Sequence, residues 1–280
     1  MNGVVIGAGT MGLGIAYVLS AAGGTVTVVE PDDRQAQAAR TRIAEVARRA
    51  VERGKLGSEE ADALVGRIVV ASSLEQVEAA APDVVVEAVP ERLELKRTVL
   101  REAEALKPRM LATNTSGLSI DAIAEGLTEP AAFIGLHFFN PVWAMPLVEI
   151  VRGSATGDAT LRAARELVAR IGKESIVVKD TPGFATSRLG VALGLEAMRM
   201  LEEGVGEAAD IDRAMELGYR HPMGPLRLTD LVGLDVRLDI ARHLAETYGP
   251  RFAPPRILEE KVAKGELGKK SGRGFYDWSE

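Results

Sequence analysis

Residues 3–12, with the sequence GVVIGAGTMG, decide the fold, because an apolar run leads directly into a glycine-rich segment. Between a strand and a helix, such a segment predicts a dinucleotide-binding turn. Gly7 permits the tight turn, Gly9 lets the backbone approach a pyrophosphate, and Gly12 allows close helix packing. The helix N-terminus that follows favours anions. The predicted loop consists of Gly7, Ala8, Gly9, Thr10, Met11 and Gly12.

A carboxylate follows the glycine loop at the sequence spacing that is typical of dinucleotide-binding domains. The run Thr25–Glu30 predicts a second strand, and Glu30 lies 18 residues after Gly12. A carboxylate there accepts hydrogen bonds from the adenosine ribose and repels a 2′-phosphate, which favours NAD over NADP. The alternatives are a glycine turn in an unrelated α/β protein, with Glu30 as a surface acid, and a phosphate accepted by the nearby Arg34.

Up to Asp180, short β-branched runs alternate with helical patterns. The strands are continuously apolar, as in a parallel sheet buried on both faces, and the alternation predicts a doubly wound α/β sheet. The predicted strands are Gly3–Gly7, Thr25–Glu30, Arg67–Ala71, Asp83–Val89, Met110–Thr115, Phe133–Phe138, Val148–Val151 and Ser175–Lys179. The predicted helices include Gly12–Ala22, Arg34–Arg53, Leu93–Leu106 and Ala159–Ile171.

After Asp180 the pattern becomes helical throughout. Thr181 and Pro182 predict an N-cap followed by proline at the first helical position, opening one long helix that runs to Gly204. Further predicted helices are Asp210–Leu217, Leu226–Tyr248 and Arg256–Lys264. We therefore predict a Rossmann-type domain over residues 1–181 and a smaller all-α domain over residues 182–280.

Composition excludes several classes of protein and site. The 280 residues carry 34 Lys plus Arg against 40 Asp plus Glu, a net charge of −6, which argues against nucleic acid as a partner. No apolar run is long enough to span a membrane, and no secretory signal is visible. The chain has no cysteine, which excludes disulfides and thiolate sites. We expect a soluble, cytoplasmic protein without a metal site.

Three histidines are candidates for an acid or base. His243 lies in an amphipathic helical stretch and His221 at a loop-to-helix junction, so both are interpreted as structural. His137 ends a predicted strand, and Glu149 lies on the next strand, where a carboxylate can orient the imidazole and stabilise the imidazolium. Ser116 closes another strand at the same edge and offers a hydroxyl to a substrate oxygen.

Motifs along the whole chain, in order and with natural spacing, resemble those of one family. They are GAGTMG, VVVEAVPE, NTSGLSI, GLHFFNPVWAMPLVEIV, KDTPGFATSR, HPMGPL and GKKSGRGFYDW. On these residues the chain resembles the L-3-hydroxyacyl-CoA dehydrogenases, and among them the 3-hydroxybutyryl-CoA dehydrogenases. HFFNP with its downstream glutamate is the specific part of the resemblance, whereas the glycine loop occurs in many families.

The resemblance implies an activity and roles for the candidate residues. The reaction is the reversible NAD-dependent oxidation of an (S)-3-hydroxyacyl-CoA to the 3-ketoacyl-CoA. His137 matches the catalytic histidine, Glu149 its acidic partner, and Ser116 the serine that contacts the substrate 3-oxygen beside the nicotinamide. The pathway stays open among fatty-acid β-oxidation, butanoate metabolism and aromatic degradation.

The resemblance also adds residues to the cofactor site. Glu91, Lys96, Ser116, Asn140 and Lys270 match residues that line it. Without the resemblance, Glu91 and Lys96 would be interpreted as charges on a helix surface, and Lys270 as a charge near the C-terminus.

Two positions depart from the family pattern. Ser187 stands where many members have an asparagine that contacts substrate, and Val46 replaces a serine associated with CoA binding. Arg42, Arg49 and Arg53 share one helical face and could meet the CoA phosphates; an ordinary solvated arginine face is the alternative. The predicted substrate-binding residues are Ser116, Ser187 and Arg53.

The second domain is expected to assemble. Its stretches Leu189–Leu201 and Leu226–Leu244 hold more apolar residues than a small helical domain needs, and the resemblance implies a homodimer through this domain.

Two other functions compete with this hypothesis. One is an NAD-dependent dehydrogenase of a free hydroxy acid, of the gulonate or carnitine type, which shares the two-domain plan. The other is an NAD-binding protein without catalysis. CoA dependence separates the first from the main hypothesis, and any turnover excludes the second.

Overall fold

A computed structural model describes residues 1–78 and 81–279. The chain forms two compact units, Met1–Asp180 and Thr181–Glu280. All eight predicted strands lie in the first unit. They are β1 Asn2–Ile6, β2 Thr25–Val29, β3 Ile68–Ala71, β4 Val84–Glu87, β5 Leu111–Thr113, β6 Phe133–Phe138, β7 Leu147–Arg152 and β8 Glu174–Lys179.

These strands form one sheet in the order β3-β2-β1-β4-β5-β6-β7-β8, which confirms the predicted α/β class. Every pairing is parallel except that between β6 and β7. The expectation of a parallel sheet is therefore wrong at this one pairing. Only residues 139–146 connect the two strands, and a parallel crossover needs a dozen residues or more.

The core of the first unit lies on both faces of the sheet. Val5 and Val28 of the central strands and Ile15 of the first helix are fully buried. The two edge strands are more open, since Val69 of β3 is 59% exposed and Ile176 of β8 is 38% exposed. Burial on both faces is thus a wrong prediction for the edge strands, because each has a neighbour on only one side.

Within the described part of the first unit, six helices pack against this sheet. They are α1 Thr10–Ala21, α2 Asp33–Glu52, α3 Ser58–Gly66, α4 Leu93–Ala103, α5 Ile120–Ala124 and α6 Asp158–Arg170. Side-chain N-caps define where α2 and α5 begin. The Asp32 side chain accepts a hydrogen bond from the Gln35 N–H, and the Ser119 side chain accepts one from the Ala122 N–H. The sequence patterns do not predict α3 or α5, which are short.

The second unit is helical, as predicted. Its helices are α7 Thr186–Glu202, α8 Ala208–Arg213, α9 Pro225–Val232, α10 Leu234–Tyr248 and α11 Arg256–Ala263, and a π-helical segment, Ala214–Gly218, follows α8. The long helix does not begin at Pro182, because Gly183 (φ 74°) and Phe184 (φ 46°) adopt left-handed conformations. The predicted helix Leu226–Tyr248 is two helices, broken at Gly233 (φ 105°).

A buried aspartate closes the second unit. The Asp230 carboxylate accepts hydrogen bonds from the N–H groups of Phe275 and Tyr276 and from the Trp278 indole. The final segment of the chain is thereby tied to α9. Across residues 1–78 and 81–279, no helix is both long enough and apolar enough to cross a membrane.

Candidate active site

The candidate site lies at the carboxyl edge of the sheet. The strand order reverses between β1, whose other neighbour is β2, and β4. In open α/β sheets, ligands bind in the crevice outside the carboxyl ends of the strands at such a reversal. The glycine loop follows β1 at this point, and the ends of β4, β5 and β6 lie further along the same edge.

The glycine loop has the geometry that a dinucleotide requires. Gly7 has φ 106°, and a Cβ there would lie 2.8 Å from the Ala88 carbonyl oxygen. A Cβ on Gly12 would lie 1.9 Å from the Gly7 oxygen, so the start of α1 packs directly on the turn. Gly9 is exposed, and a Cβ there would meet nothing within 4 Å. Its backbone is therefore open to a pyrophosphate.

Glu30 lies directly under this loop. Its side chain accepts hydrogen bonds from the N–H groups of Ala8 (3.0 Å) and Asp32 (3.1 Å), and the residue is 7% exposed. A carboxylate has four acceptor positions, so two remain for ribose hydroxyls. Arg34 is exposed in the first turn of α2. The remaining acceptor positions of Glu30 and the open backbone at Gly9 together fit the ribose and the pyrophosphate of NAD.

The histidine and its carboxylate partner meet across the antiparallel pairing of the sheet. His137 of β6 is directly opposite Glu149 of β7. The His137 Nδ1 lies 2.7 Å from Glu149 Oε2, with Glu149 fully buried and His137 7% exposed. A carboxylate at Nδ1 holds the ring proton of neutral imidazole there, so Nε2 is the nitrogen that takes up a proton. The arrangement is that of an oriented general acid–base.

Ser116 and Asn140 follow the ends of β5 and β6, and both are exposed. The Ser116 N–H donates to Glu91 Oε1 at 3.0 Å. Asn114 is a further residue of this edge that the sequence patterns did not indicate: its side-chain oxygen accepts a hydrogen bond from the Phe138 N–H at 2.9 Å. This bond ties the end of β5 to the end of β6. A polar asparagine near the end of the predicted apolar strand Met110–Thr115 is the signal that could have identified it.

Lys96 is not a surface charge. It is 1% exposed, and its Nζ lies 2.8 Å from Glu87 Oε1 and 3.1 Å from Glu91 Oε2. Burial disfavours ionisation of Glu91. The Lys96 ammonium and the hydrogen bonds from Thr115 and Ser116 outweigh it and hold the pKa of Glu91 below its ordinary value. Glu87, at the end of β4, is fully buried and belongs to the same cluster, although the sequence patterns did not indicate it.

Arg42 and Arg49 of α2, together with Arg53 directly after its last residue, line a groove. Arg42 and Arg49 border a hollow of about 290 Å³, and Arg49 and Arg53 border an adjoining one of about 360 Å³. Both hollows are also lined by Tyr17, Val46 and Trp143. The Tyr17 and Trp143 rings meet edge to face with centroids 6.1 Å apart. The groove therefore combines guanidinium groups with an aromatic wall.

The remaining candidates belong to the second unit. Ser187 is half-buried in the first turn of α7. The Lys270 ammonium lies 2.5 Å from both carboxylate oxygens of Asp235. His221 is half-buried, and His243 is exposed on α10. Within residues 1–78 and 81–279, no group of three or more histidine, aspartate or glutamate side chains is arranged to hold a metal ion.

Comparison with known proteins identifies the family. A model of the 3-hydroxyacyl-CoA dehydrogenase NAD-binding domain matches residues 3–181, and one of the C-terminal domain of the same enzymes matches residues 183–278. The 3-hydroxybutyryl-CoA dehydrogenase of Mycobacterium tuberculosis is 40% identical over 98% of this chain and 97% of its own.

The 3-hydroxybutyryl-CoA dehydrogenase of Bradyrhizobium diazoefficiens is 41% identical over 98% of this chain and 94% of its own. The crystal structure of (S)-3-hydroxybutyryl-CoA dehydrogenase from Ralstonia eutropha has a TM-score of 0.94 at 36% identity, covering 100% of this chain and 99% of that one. The first unit is accordingly an NAD-binding domain, and the chain belongs to the 3-hydroxyacyl-CoA dehydrogenase family.

Proposed function

We propose that this protein catalyses the reversible NAD-dependent oxidation of (S)-3-hydroxyacyl-CoA to 3-ketoacyl-CoA, with 3-hydroxybutyryl-CoA as a substrate. The observation that carries the proposal is the His137–Glu149 pair, at 2.7 Å, on the same sheet edge as the glycine loop. Relatives named for CoA esters support this reaction over oxidation of a free hydroxy acid. A complete acid–base pair supports catalysis over NAD binding alone.

His137, Glu149 and Ser116 have separate roles in the transfer of the proton from the 3-hydroxyl. His137 takes the proton of the 3-hydroxyl at Nε2, and Glu149 stabilises the resulting imidazolium through Nδ1. The Ser116 hydroxyl donates a hydrogen bond to the substrate 3-oxygen and holds it near the imidazole. Bound NAD supplies the acceptor for the hydride that leaves C3. In the reverse direction the imidazolium polarises the ketone and returns the proton.

We propose that the groove along α2 holds the CoA portion of the substrate. Arg42, Arg49 and Arg53 offer planar, permanently charged donors that suit phosphate groups. Trp143, 43% exposed, offers an aromatic surface in the same groove. We also propose that Ser187 contacts the acyl group, with a shorter reach than asparagine. On the resemblance, the proposed cofactor residues are Glu91, Lys96, Ser116, Asn140 and Lys270.

We propose that the second domain forms a homodimer. Apolar side chains are exposed on three of its helices, including Leu189 (64%) and Leu193 (42%) on α7, Leu231 (40%) on α9 and Val236 (40%) on α10. Clustered exposed apolar surface marks protein interfaces. A monomeric mass by light scattering at micromolar concentration would contradict this proposal. A cytoplasmic location and a role in β-oxidation are proposed on the resemblance alone.

The experiment is NADH consumption with acetoacetyl-CoA, run beside free acetoacetate and beside NADPH. Turnover with the CoA ester and NADH supports the reaction, the CoA groove and the role of Glu30 together. Turnover with the free acid alone would contradict the CoA assignment. Equal rates with NADPH would contradict the role of Glu30.

A further inference from the structure

We propose that Arg237 binds a carboxylate at the far end of the acyl chain, so that the protein also acts on 3-hydroxyacyl-CoA esters of dicarboxylic acids. The inference rests on the proposed function, in which Ser187 contacts the acyl group of a CoA ester. It extends the substrate class from neutral acyl chains to chains that end in an acid.

Arg237 of α10 is a buried cation whose charge no carboxylate of the described residues balances. It is 6% exposed, and its Nε has no hydrogen-bond partner within residues 1–78 and 81–279. Asp235, two residues earlier, lies on another side of the helix and binds Lys270. Burial lowers the pKa of Arg237 to about 10, and no carboxylate in the described part of the chain counteracts this effect. The guanidinium is therefore charged at neutral pH and has a donor without an acceptor.

The guanidinium borders a gap in the surface of α7. A Cβ on Gly190 would lie 3.2 Å from Nη1 and 3.6 Å from Nη2 of Arg237, so both terminal nitrogens adjoin the space that a side chain would occupy there. Gly190 itself is half-buried. The planar guanidinium offers parallel N–H groups that match the two oxygens of a carboxylate. A gap beside both terminal nitrogens therefore suits one carboxylate group.

The face of α7 that adjoins Arg237 also carries Ser187. Ser187 precedes Gly190 by three residues, and helical residues at this spacing lie on the same face, about 5 Å apart along the axis. An acyl chain in contact with Ser187 thus has the Arg237 guanidinium about one helical turn away. The CoA phosphates are proposed to bind the arginines of the groove along α2. The anionic group left for Arg237 is therefore a carboxylate of the acyl chain.

The cost of Arg237 to the free protein favours a role in ligand binding. A buried donor without an acceptor destabilises the fold, whereas an apolar side chain of similar length would not. A bound carboxylate supplies the missing acceptor, and a neutral chain end leaves the charge unpaired. Sites built around a hydrogen-bonding group reject analogues that lack its partner. The expected discrimination between an acidic and a neutral chain end is about 10- to 100-fold.

Matched pairs of substrates test the proposal. 3-Ketoadipyl-CoA and 3-ketohexanoyl-CoA differ only in the terminal carboxylate, and 3-ketosuberyl-CoA and 3-ketooctanoyl-CoA form a longer pair. In at least one pair, the wild type is expected to have a kcat/KM about 10- to 100-fold higher for the acid. Arg237→Met should lose this preference and gain activity on the neutral ester, because methionine offers an apolar contact. Arg242→Met, at an exposed arginine of the same helix, is the matched control and should keep the wild-type preference.

Two outcomes of this assay would overturn the inference. One is a wild type that prefers the neutral ester in both pairs. The other is an Arg237→Met variant that changes kcat/KM for the acidic and the neutral ester by the same factor.

Binding of unreactive esters separates this inference from the proposed function. Adipyl-CoA, suberyl-CoA, hexanoyl-CoA and octanoyl-CoA lack the 3-oxygen, so their dissociation constants from calorimetry do not depend on turnover. The wild type is expected to bind the acid of at least one pair about tenfold more tightly or better, and Arg237→Met to bind both members alike. A wild type that shows this difference without any turnover contradicts the proposed reaction and supports the carboxylate site. Equal affinity within both pairs, or no binding of any ester, would overturn the inference.

Light scattering tests whether a second copy of the chain supplies the acceptor instead. The exposed side chains of Leu189, Leu193 and Val236 lie next in sequence or one turn away from Gly190 and Arg237. Arg237→Met is expected to keep the mass of the wild type. A variant that dissociates while its preference between the esters stays that of the wild type would overturn the inference.

Discussion

Replacing Glu149 by glutamine tests whether this buried carboxylate supports His137 in the acid–base pair. Glu149 has no exposed surface, and its Oε2 lies 2.7 Å from His137 Nδ1. The amide has the same shape and can still accept a hydrogen bond from the ring, but it carries no charge. The substitution therefore removes the charge that stabilises the imidazolium and keeps the packing.

The size of the effect follows from the change in hydrogen-bond type. A bond to a charged group contributes about 1.5–3 kcal/mol and a neutral one about 0.5–1.5 kcal/mol, so the loss is about 1–2 kcal/mol. At 1.36 kcal/mol for each factor of ten, kcat is expected to fall about 5- to 30-fold.

The assay compares steady-state kcat for acetoacetyl-CoA reduction in Glu149→Gln and in Glu174→Gln, a control at an exposed acid on the adjoining strand β8. The control is expected to retain the wild-type kcat, and NADH affinity is expected to stay unchanged in both. A folded Glu149→Gln variant with the wild-type kcat would refute the reasoning that Glu149 stabilises the imidazolium.

Gly9→Ala should retain stability and bind NADH at least about tenfold more weakly, because its Cβ enters the space open to the pyrophosphate. Gly12→Ala should lower the Tm, because its Cβ lies 1.9 Å from a backbone oxygen. Arg237 is 6% exposed, burial lowers its pKa to about 10, and its Nε has no hydrogen-bond partner among the described residues. Urea unfolding should therefore show Arg237→Met more stable by about 1–3 kcal/mol. Glu91, whose pKa lies below its ordinary 4.5, stabilises the fold above that value and loses this contribution as the pH falls through its folded-state pKa. The Tm difference between wild type and Glu91→Gln should accordingly be present at neutral pH and vanish in acid. A Tm difference that does not change with pH would contradict this prediction.

Features that depend on neighbouring residues in the chain could be predicted from the sequence. The glycine loop is local, since Gly7, Gly9 and Gly12 define their own turn. The His137–Glu149 pair was predictable because both residues lie in strongly apolar strands that adjoin in the sequence. The antiparallel pairing of these strands was not predicted, although residues 139–146 contain no helical stretch that could make a parallel crossover.

Features that depend on contacts distant in the chain could not be predicted. Lys96 has the pattern of a helix-surface charge, but it is buried against Glu87 of β4 and against Glu91, which in turn binds the loop after β5. The start of α7 was misplaced because Thr181 followed by Pro182 has the sequence pattern of a helix start. The backbone at Gly183 and Phe184 instead turns through left-handed conformations, for which a phenylalanine offers no local signal.

The central claim is that His137 performs the proton transfer of an NADH-dependent 3-ketoacyl-CoA reduction. It is tested most directly by measuring kcat with acetoacetyl-CoA, together with the NADH dissociation constant, in the wild type and in His137→Ala. A positioned acid–base group contributes about 10²- to 10⁴-fold, so the variant should lose at least about 10²-fold in kcat and bind NADH as the wild type does. Comparable turnover in the variant would contradict the account.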